Sequence, residues 1–227
     1  MLVALVILAS LGLYVYQQWG GFAPKRSAAV LRWLRNPENY PAWRLAAGER
    51  CGEAPFLIPT NGLAGYLWDD SFRPGHRHSG IDIFGGTDLG VTPVIAAHSG
   101  YLWRESDWKS SLIIRIPDDP LQPGQQIWTY YTHMADPQGN SYIVSDFPPG
   151  TYEVYVKAGT LLGYQGNYSG NPGNPTGVHL HFSIVREDGQ GRFTNELEIE
   201  NTIDPSPYLG LPLNGKTNSD SIPICNH

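Results

Sequence analysis

Short apolar runs separated by turn residues fill most of this chain and constrain its fold more than any other feature. The 26 glycines and 19 prolines are spread between the runs, as in a turn-rich β protein. The runs are rich in β-branched and aromatic residues, which favour strands. They read "TPVIAAHSGYLWRE" (92–105), "SLIIRIP" (111–117), "QIWTYYTHM" (126–134), "TYEVYV" (151–156), "TLLGYQG" (160–166) and "HLHFSIVRE" (179–187). Because no amphipathic helical pattern interrupts them, we predict an antiparallel all-β domain.

The N-terminal segment has a different character. "MLVALVILASLGLYVYQQWGG" carries no charged side chain, and the first charge appears at Lys25. Its most apolar part, residues 1–16, is shorter than the roughly 20 residues that a spanning helix needs, but the segment becomes long enough to span when Gln17, Gln18 and an interfacial Trp19 are included. A signal-peptide core is the alternative, although the segment lacks a basic start and a small-residue cleavage site. We predict a membrane anchor over residues 1–20 with the rest outside the cytoplasm, although the basic residues that follow it oppose that orientation.

Two segments flank the β domain. Residues 21–54 are predicted to hold a short juxtamembrane helix that ends before Pro37. That helix either lies on anionic lipid through its arginines or packs on the β domain. Residues 211–227 form a polar, turn-rich segment, which we expect to be a loosely held tail.

Charge and cysteine content exclude some functions. The net charge is −6 and no basic stripe is present, which argues against nucleic acid as a partner. The two cysteines, Cys51 and Cys225, do not form a CxxC pair, so we do not expect them to bind a metal. In an exported protein they would form a disulfide, but two unrelated thiols are an equal alternative.

Three separated motifs contain the residues with chemical potential. "GVHLHFSIV" puts His179 and His181 on the same face of a strand, either as a surface pair or as part of a metal site. "RPGHRHSGIDIFGG" (73–86) contains further histidines and Asp82. "YYTHM" puts His133 on a predicted strand, on the same face as Tyr131. Each motif is weak alone, because strand histidines are common polar surface residues.

Together the motifs indicate a catalytic metal site. Two histidines and one carboxylate form a three-ligand zinc site whose fourth position is open to water. Two imidazoles then remain beside the metal for proton transfer or oxyanion stabilisation. Because the chain has no HExxH motif, histidine must do the acid–base work if this is a zinc hydrolase.

The same residues resemble a known family. "HSGID", "YYTHM" and "GVHLHF", in this order, are similar to the motifs of the lysostaphin-type (M23, LytM-like) zinc metallopeptidases, which are peptidoglycan endopeptidases. The segments "TPVIAAHSGYLW", "VKAGTLLGYQGN" and "IDPSPYLG" also resemble that family, so the likeness covers residues 55–210. It implies an antiparallel two-sheet peptidase domain of the duplicated hybrid motif type, preceded here by an N-terminal hydrophobic helix.

The resemblance also implies a role for each site residue. His78, Asp82 and His181 would be the ligands of one zinc ion per chain, and His133 and His179 would be the catalytic pair. His76 is a rival ligand by spacing, but the family pattern has its ligand directly before "SGID".

Two further expectations concern the surroundings of these residues. Gly80 is expected to allow a tight turn between the two ligands of the first motif. The segments 136–156 and 167–177, which are longer than the family's usual connections, are expected to border the cleft.

These roles predict a zinc-dependent endopeptidase that cleaves peptide cross-bridges or stems of peptidoglycan. The predicted location is the cell envelope, with the enzyme either membrane-anchored or secreted. The alternative is a non-enzymatic LytM-like domain that binds the wall or activates another hydrolase. A cupin-type metal oxygenase is a third interpretation, since "GHRH" offers paired histidines, but the glutamate expected after them is absent.

Overall fold

A computed structural model describes residues 24–71, 75–218 and 221–225 of the chain. The anchor predicted over residues 1–20, and with it the N-terminal hydrophobic helix, lies outside these ranges. Within them, none of the helices has the length and apolar character needed to cross a bilayer.

The regular structure of the described chain consists mainly of short antiparallel strands in two sheets, with few helices. The large sheet has the strand order β1-β2-β9-β6-β5-β4-β7, with β10 also paired to β9, and the small sheet pairs β3 with β8. All pairings between these strands are antiparallel, so the predicted antiparallel two-sheet all-β fold is confirmed. The elements are α1 (Pro24–Arg35), β1 (Leu63–Tyr66), β2 (Ile81–Phe84), β3 (Pro93–Ile95), β4 (Gly100–Trp103), β5 (Leu112–Ile116), β6 (Ile127–Thr132), β7 (Val154–Val156), β8 (Leu161–Tyr164), β9 (Leu180–Arg186), β10 (Thr202–Ile203) and α2 (Ser206–Leu209), with 3₁₀ turns at Pro37–Asn39, Pro41–Trp43 and Ile199–Asn201.

The main hydrophobic core lies on one face of the large sheet. Ile83 of β2, Phe182 of β9 and Ile114 of β5 are fully buried there, together with Val94 of β3 and Leu162 of β8. Because successive side chains of a strand point to opposite faces, the residues between them point to the other face. That second face therefore carries the polar residues of β2 and β9.

Two hydrophobic clusters cover the ends of this second face. At one end α1 packs on β1 and β2, where Val30 and Trp33 contact Leu63 and Phe84. At the other end an aromatic cluster covers β4, β5 and β6, with Trp128 as its most buried ring. The middle of the face remains open as a cleft between the two clusters.

Helix α1 packs on the β domain, which is one of the two placements that the sequence allows. Trp33 is completely buried, and its indole N–H donates a hydrogen bond of 2.7 Å to the backbone carbonyl of Phe84. Leu31 and Leu34 of the same helix face solvent and are 56% and 40% exposed.

The described part of the C-terminal segment is packed, so the expectation of a loosely held tail is wrong for it. Leu213 is completely buried in the main core, and its carbonyl accepts a hydrogen bond from the backbone N–H of Trp68. Further along the chain, Cys225 forms a disulfide with Cys51, 174 residues earlier in sequence. The polar composition misled the prediction because a few apolar side chains and one covalent link suffice to hold the segment.

Candidate metal centre

Three side chains from the first and last motifs converge in the open middle of the large sheet. His78 Nε2 lies 3.1 Å from Asp82 Oδ1 and 3.0 Å from His181 Nδ1, and the last two atoms are 2.9 Å apart. In a tetrahedral zinc site with ligand bonds of about 2.0–2.2 Å, ligand atoms lie about 3.3 Å apart. The triad therefore fits a zinc ion after an expansion of a few tenths of an ångström, and these residues could hold a metal.

The register of two central strands places two of these donors. Asp82 of β2 lies directly opposite His181 of β9, so both side chains leave the sheet on the same face. Gly80 permits the close packing beside them, because a Cβ atom there would lie 2.4 Å from the carbonyl oxygen of Phe182 and 2.8 Å from His181 Nε2. The expected reason for this glycine was wrong: Gly80 is not among the glycines with positive φ, and it serves close approach instead of a turn.

The third donor, His78, precedes β2 and is held by backbone groups. Its ring Nδ1 lies 2.9 Å from the carbonyl oxygen of Leu67, so the N–H at that position donates to the carbonyl and Nε2 faces the triad. Its backbone N–H donates to the carbonyl of Asp70, and its own carbonyl accepts from the N–H of Asp69. The site thus holds His78 in the tautomer that presents a lone pair to a metal.

Burial and mutual charge set the ionisation of the triad. Burial acts to raise the pKa of Asp82, but the imidazoles of His78 and His179 outweigh it and hold that pKa well below its ordinary value. Burial lowers the pKa of His181, and the neighbouring His78 acts in the same direction. Burial also acts to lower the pKa of His78, yet the Asp82 carboxylate prevails and raises it on balance. Asp82 is therefore a carboxylate at neutral pH, as a hard metal ligand requires.

The two remaining histidines of the motifs stand beside the triad. His179 Nδ1 lies 2.7 Å from the carbonyl oxygen of Gly177, and His133 Nδ1 lies 2.6 Å from that of Tyr168. Each ring therefore donates its Nδ1 proton to a backbone carbonyl, which leaves Nε2 as the ring nitrogen not engaged by the backbone. His179 Nε2 is 3.5 Å from Asp82 Oδ1. The ring centroids of His133 and His179 are 4.5 Å apart.

Desolvation keeps His133 neutral. Burial lowers its pKa to about 3, and the nearby His179 and His181 add to the effect. At neutral pH this imidazole is a proton acceptor. Once protonated, it is a strong acid.

The backbone at His133 differs from the prediction. Strand β6 ends at Thr132, and His133 has φ +71°, in the left-handed region that only a few per cent of non-glycine residues adopt. The predicted shared face with Tyr131 is therefore wrong, because Tyr131 is buried in the main core whereas His133 lines the cleft. Backbone strain of this kind is concentrated at functional sites, where the surrounding structure holds it in place.

The donors lie in a cleft of about 920 Å³. Segment 167–177 borders this cleft as predicted, through residues such as Tyr168 and Thr176. Segment 136–156 contributes no lining residue, because it leads to β7 at the edge of the sheet remote from β2 and β9. His76 also lines the cleft, but it is not part of the donor triad.

No local sequence pattern identifies the groups that orient these histidines. The acceptors of Leu67, Tyr168 and Gly177 are backbone carbonyls, and any residue type supplies one. Phe84, whose ring stacks on His179 with centroids 5.0 Å apart, is part of the "IDIF" run but was not distinguishable there from a core residue. These partners become visible only when the strands are paired.

Comparison with solved structures finds peptidases of the family that the motifs resemble. Lysostaphin from Staphylococcus simulans is 20% identical with a TM-score of 0.39, and the match covers 73% of this chain and 55% of that one. A putative M23 peptidase from Pseudomonas aeruginosa is 19% identical with a TM-score of 0.40 and coverage of 78% and 59%. A putative glycyl-glycine endopeptidase LytM from Ruminococcus gnavus is 26% identical with a TM-score of 0.37 and coverage of 57% and 45%.

The match leaves a large part of these proteins uncovered, since the chain spans between about half and three fifths of the first two structures. All three TM-scores lie below 0.5, so the similarity does not by itself identify an activity. No protein-family model matches the sequence, and no curated protein matches it.

Proposed function

We propose that this protein is a zinc metalloendopeptidase that hydrolyses peptide bonds of peptidoglycan. The observation that carries the proposal is the convergence of His78, Asp82 and His181, with donor atoms about 3 Å apart, beside two histidines whose rings are held at Nδ1 by backbone carbonyls. Two imidazoles and one carboxylate are the donor set of a catalytic zinc site that leaves a coordination position open. The complete donor set also argues against the alternative of a non-enzymatic wall-binding domain.

The chain's own groups would share the chemistry as follows. When bound, zinc supplies Lewis-acid polarisation of a carbonyl and lowers the pKa of a coordinated water to about 7. His78, Asp82 and His181 would hold the ion. His133 or His179 would take a proton at Nε2 and then, as an imidazolium, hydrogen-bond the developing oxyanion or protonate the leaving amine.

The low pKa of His133 suits the second half of that task. Its imidazolium would release a proton readily to the amine, whereas the neutral ring is a weak base toward a water whose pKa is about 7. The hydrogen bonds at Nδ1 of both histidines fix their rings, so Nε2 is the atom that exchanges the proton.

The substrate class is supported by the motif resemblance, and the location by a covalent feature. The three motifs resemble those of peptidoglycan endopeptidases, and an open cleft of about 920 Å³ has room for an extended peptide. The disulfide between Cys51 and Cys225 supports a location outside the cytoplasm, because disulfides persist in oxidising compartments. A membrane anchor at residues 1–20 remains a prediction.

Digestion of purified peptidoglycan by the zinc-loaded protein tests the proposal. We expect new amino termini in the soluble products, identified by mass spectrometry, and no products from His181→Ala. Products that lack new amino termini would point to cleavage of glycan. Undigested peptidoglycan in the presence of stoichiometric zinc would refute the endopeptidase and favour the wall-binding alternative.

A further inference from the structure

A buried ion pair joins helix α1 to the region that holds the first metal donor. Arg26 of α1 is 2% exposed, and its Nε lies 3.2 Å from Asp70 Oδ2, whose residue is 5% exposed. Burying two charges costs several kcal/mol of desolvation for each ion, so such a pair is weak support for stability. A second role would explain why the helix places a charge here.

Asp70 organises the backbone around the donor His78. The oxygen that pairs with Arg26 also accepts a hydrogen bond of 2.7 Å from the backbone N–H of Leu67. The backbone N–H of Asp70 donates to the carbonyl of Leu67, which closes a tight turn. The backbone carbonyl of Asp70 accepts a 2.8 Å hydrogen bond from the N–H of His78.

The turn that Asp70 closes also fixes the ring of His78. The Leu67 carbonyl is the acceptor of the Nδ1 proton of His78, at 2.9 Å. This hydrogen bond selects the tautomer and sets the direction of Nε2 toward the other two donors. A displacement of Asp70 would therefore disturb His78 in two ways, by moving its backbone and by reorienting its ring.

Helix α1 contacts the other side of the site by a separate route. The indole of Trp33 donates to the carbonyl of Phe84, and the Phe84 ring stacks on His179 with an interplanar angle of 24°. Ser27 and Val30 of the same helix line the cleft. The helix thus supports one proposed metal donor and one proposed catalytic histidine from a single rigid element.

We propose that helix α1 is a positioning element of the metal centre and that Arg26, acting through Asp70, holds His78 in its ligating orientation. The inference rests on the proposed function only in assuming that a metal binds at the triad. It makes the segment between the predicted anchor and the β domain a part of the site. The measured consequence is a change in zinc affinity, which a purely structural ion pair would not cause.

The test compares two arginines of the same helix. Arg26→Met removes the buried charge with little change of volume, and Arg35→Met makes the same change at an exposed position. We expect Arg26→Met to weaken zinc binding by about 10–100-fold, the usual effect of losing a group that orients a ligand. Arg26→Lys keeps a positive charge beside Asp70 and should recover part of the affinity, whereas Arg35→Met should bind zinc like the parent. Zinc dissociation constants come from chelator competition on the full chain, and thermal unfolding of the metal-free forms is recorded on the same preparations.

A lowered unfolding temperature with parental zinc affinity in Arg26→Met would overturn the proposal, because the pair would then be structural only. If that variant fails to fold, Arg26→Met combined with Asp70→Asn replaces it, since it leaves no unpaired buried charge. At least a tenfold loss of zinc affinity in the double variant supports the proposal, and parental affinity overturns it.

A peptidoglycan digestion assay separates the proposed enzyme function from the proposed positioning role of Arg26. Weakened zinc binding in a protein that never digests the wall would refute the enzyme alone, whereas digestion with unchanged zinc affinity in Arg26→Met would refute the positioning role alone.

Discussion

His133 offers the sharpest test of the proposed mechanism, because its role predicts loss of turnover without loss of metal. Its ring centroid is 6.2 Å from that of His181, and it is not one of the three converging donors. Removing it should therefore leave the triad assembled. The substitution of choice is His133→Asn, since asparagine adopts the left-handed backbone at φ +71° more readily than alanine does.

The expected magnitude follows from the role of a proton-transfer group. Loss of one general acid–base residue lowers turnover by about 10²–10⁴-fold, which corresponds to about 3–5 kcal/mol in the activation free energy. The decrease should be close to 10²-fold if His179, whose ring centroid lies 4.5 Å from that of His133, takes over part of the proton transfer. The decrease should appear in kcat, because the neutral ring contributes little to binding of the ground state.

The assay measures zinc content and the rate of peptidoglycan digestion on the same preparation. His98→Asn is the matched control, because His98 lies outside the cleft and should keep full activity. Near-parental digestion by His133→Asn would show that this imidazole does not transfer a proton. Loss of zinc from this variant would make His133 a ligand, and the three-donor description of the site would then be wrong.

Three further predictions use simpler measurements. Asp82→Ala should lose stoichiometric zinc, as measured by mass spectrometry of the metal, whereas His76→Ala should retain it. Zinc loss from His76→Ala but not from Asp82→Ala would contradict the assignment of Asp82 as a ligand. Between pH 7 and pH 5, the unfolding free energy of the metal-free parent should fall by about 2 kcal/mol more than that of His133→Asn. The pKa of His133 is about 3 in the folded protein and 6.5 in the unfolded chain, so protonation over this range favours the unfolded chain. Equal losses of unfolding free energy in urea titrations of the two proteins would contradict the lowered pKa. Replacing Cys51 and Cys225 by serine should lower the unfolding free energy by roughly 2–5 kcal/mol, given the 174-residue separation; an unchanged urea midpoint would show that the disulfide does not constrain the unfolded chain.

The apolar runs made most of the strands predictable, and β1, β2 and β10 were missed. The predicted runs contain β3 to β9 in full, because β-branched and aromatic residues are frequent there. No run was assigned to β1 or β2, each of which has four residues and directly follows a glycine. Their strand conformation is supplied by pairing with β9 and with each other, which no local pattern reveals.

The site residues were accessible from motifs, but their geometry was not. The spacing of His179 and His181 predicted a shared face, and the register opposite Asp82 gives that face its partner. The conformation of His133 was not predictable, because a histidine at positive φ has no sequence signature. The link from Arg26 to His78 was equally hidden, since it crosses from a helix to a distant turn through a carboxylate that stands among other acidic residues.

The pairing of Asp82 with His181 across β2 and β9 would make the proposed metal binding depend on the alignment of two strands that are about a hundred residues apart in sequence. A slip of one residue would send one of these side chains into the core and leave the other alone on the open face. No misaligned form of the sheet can then bind the ion in the native manner. Bound metal would stabilise the correct alignment by RT ln(1 + [Zn]/Kd) and leave its competitors unaided. At a zinc concentration one hundred times the dissociation constant, this stabilisation amounts to about 2.7 kcal/mol. The ion would then select the correctly aligned sheet in addition to its proposed role in the reaction.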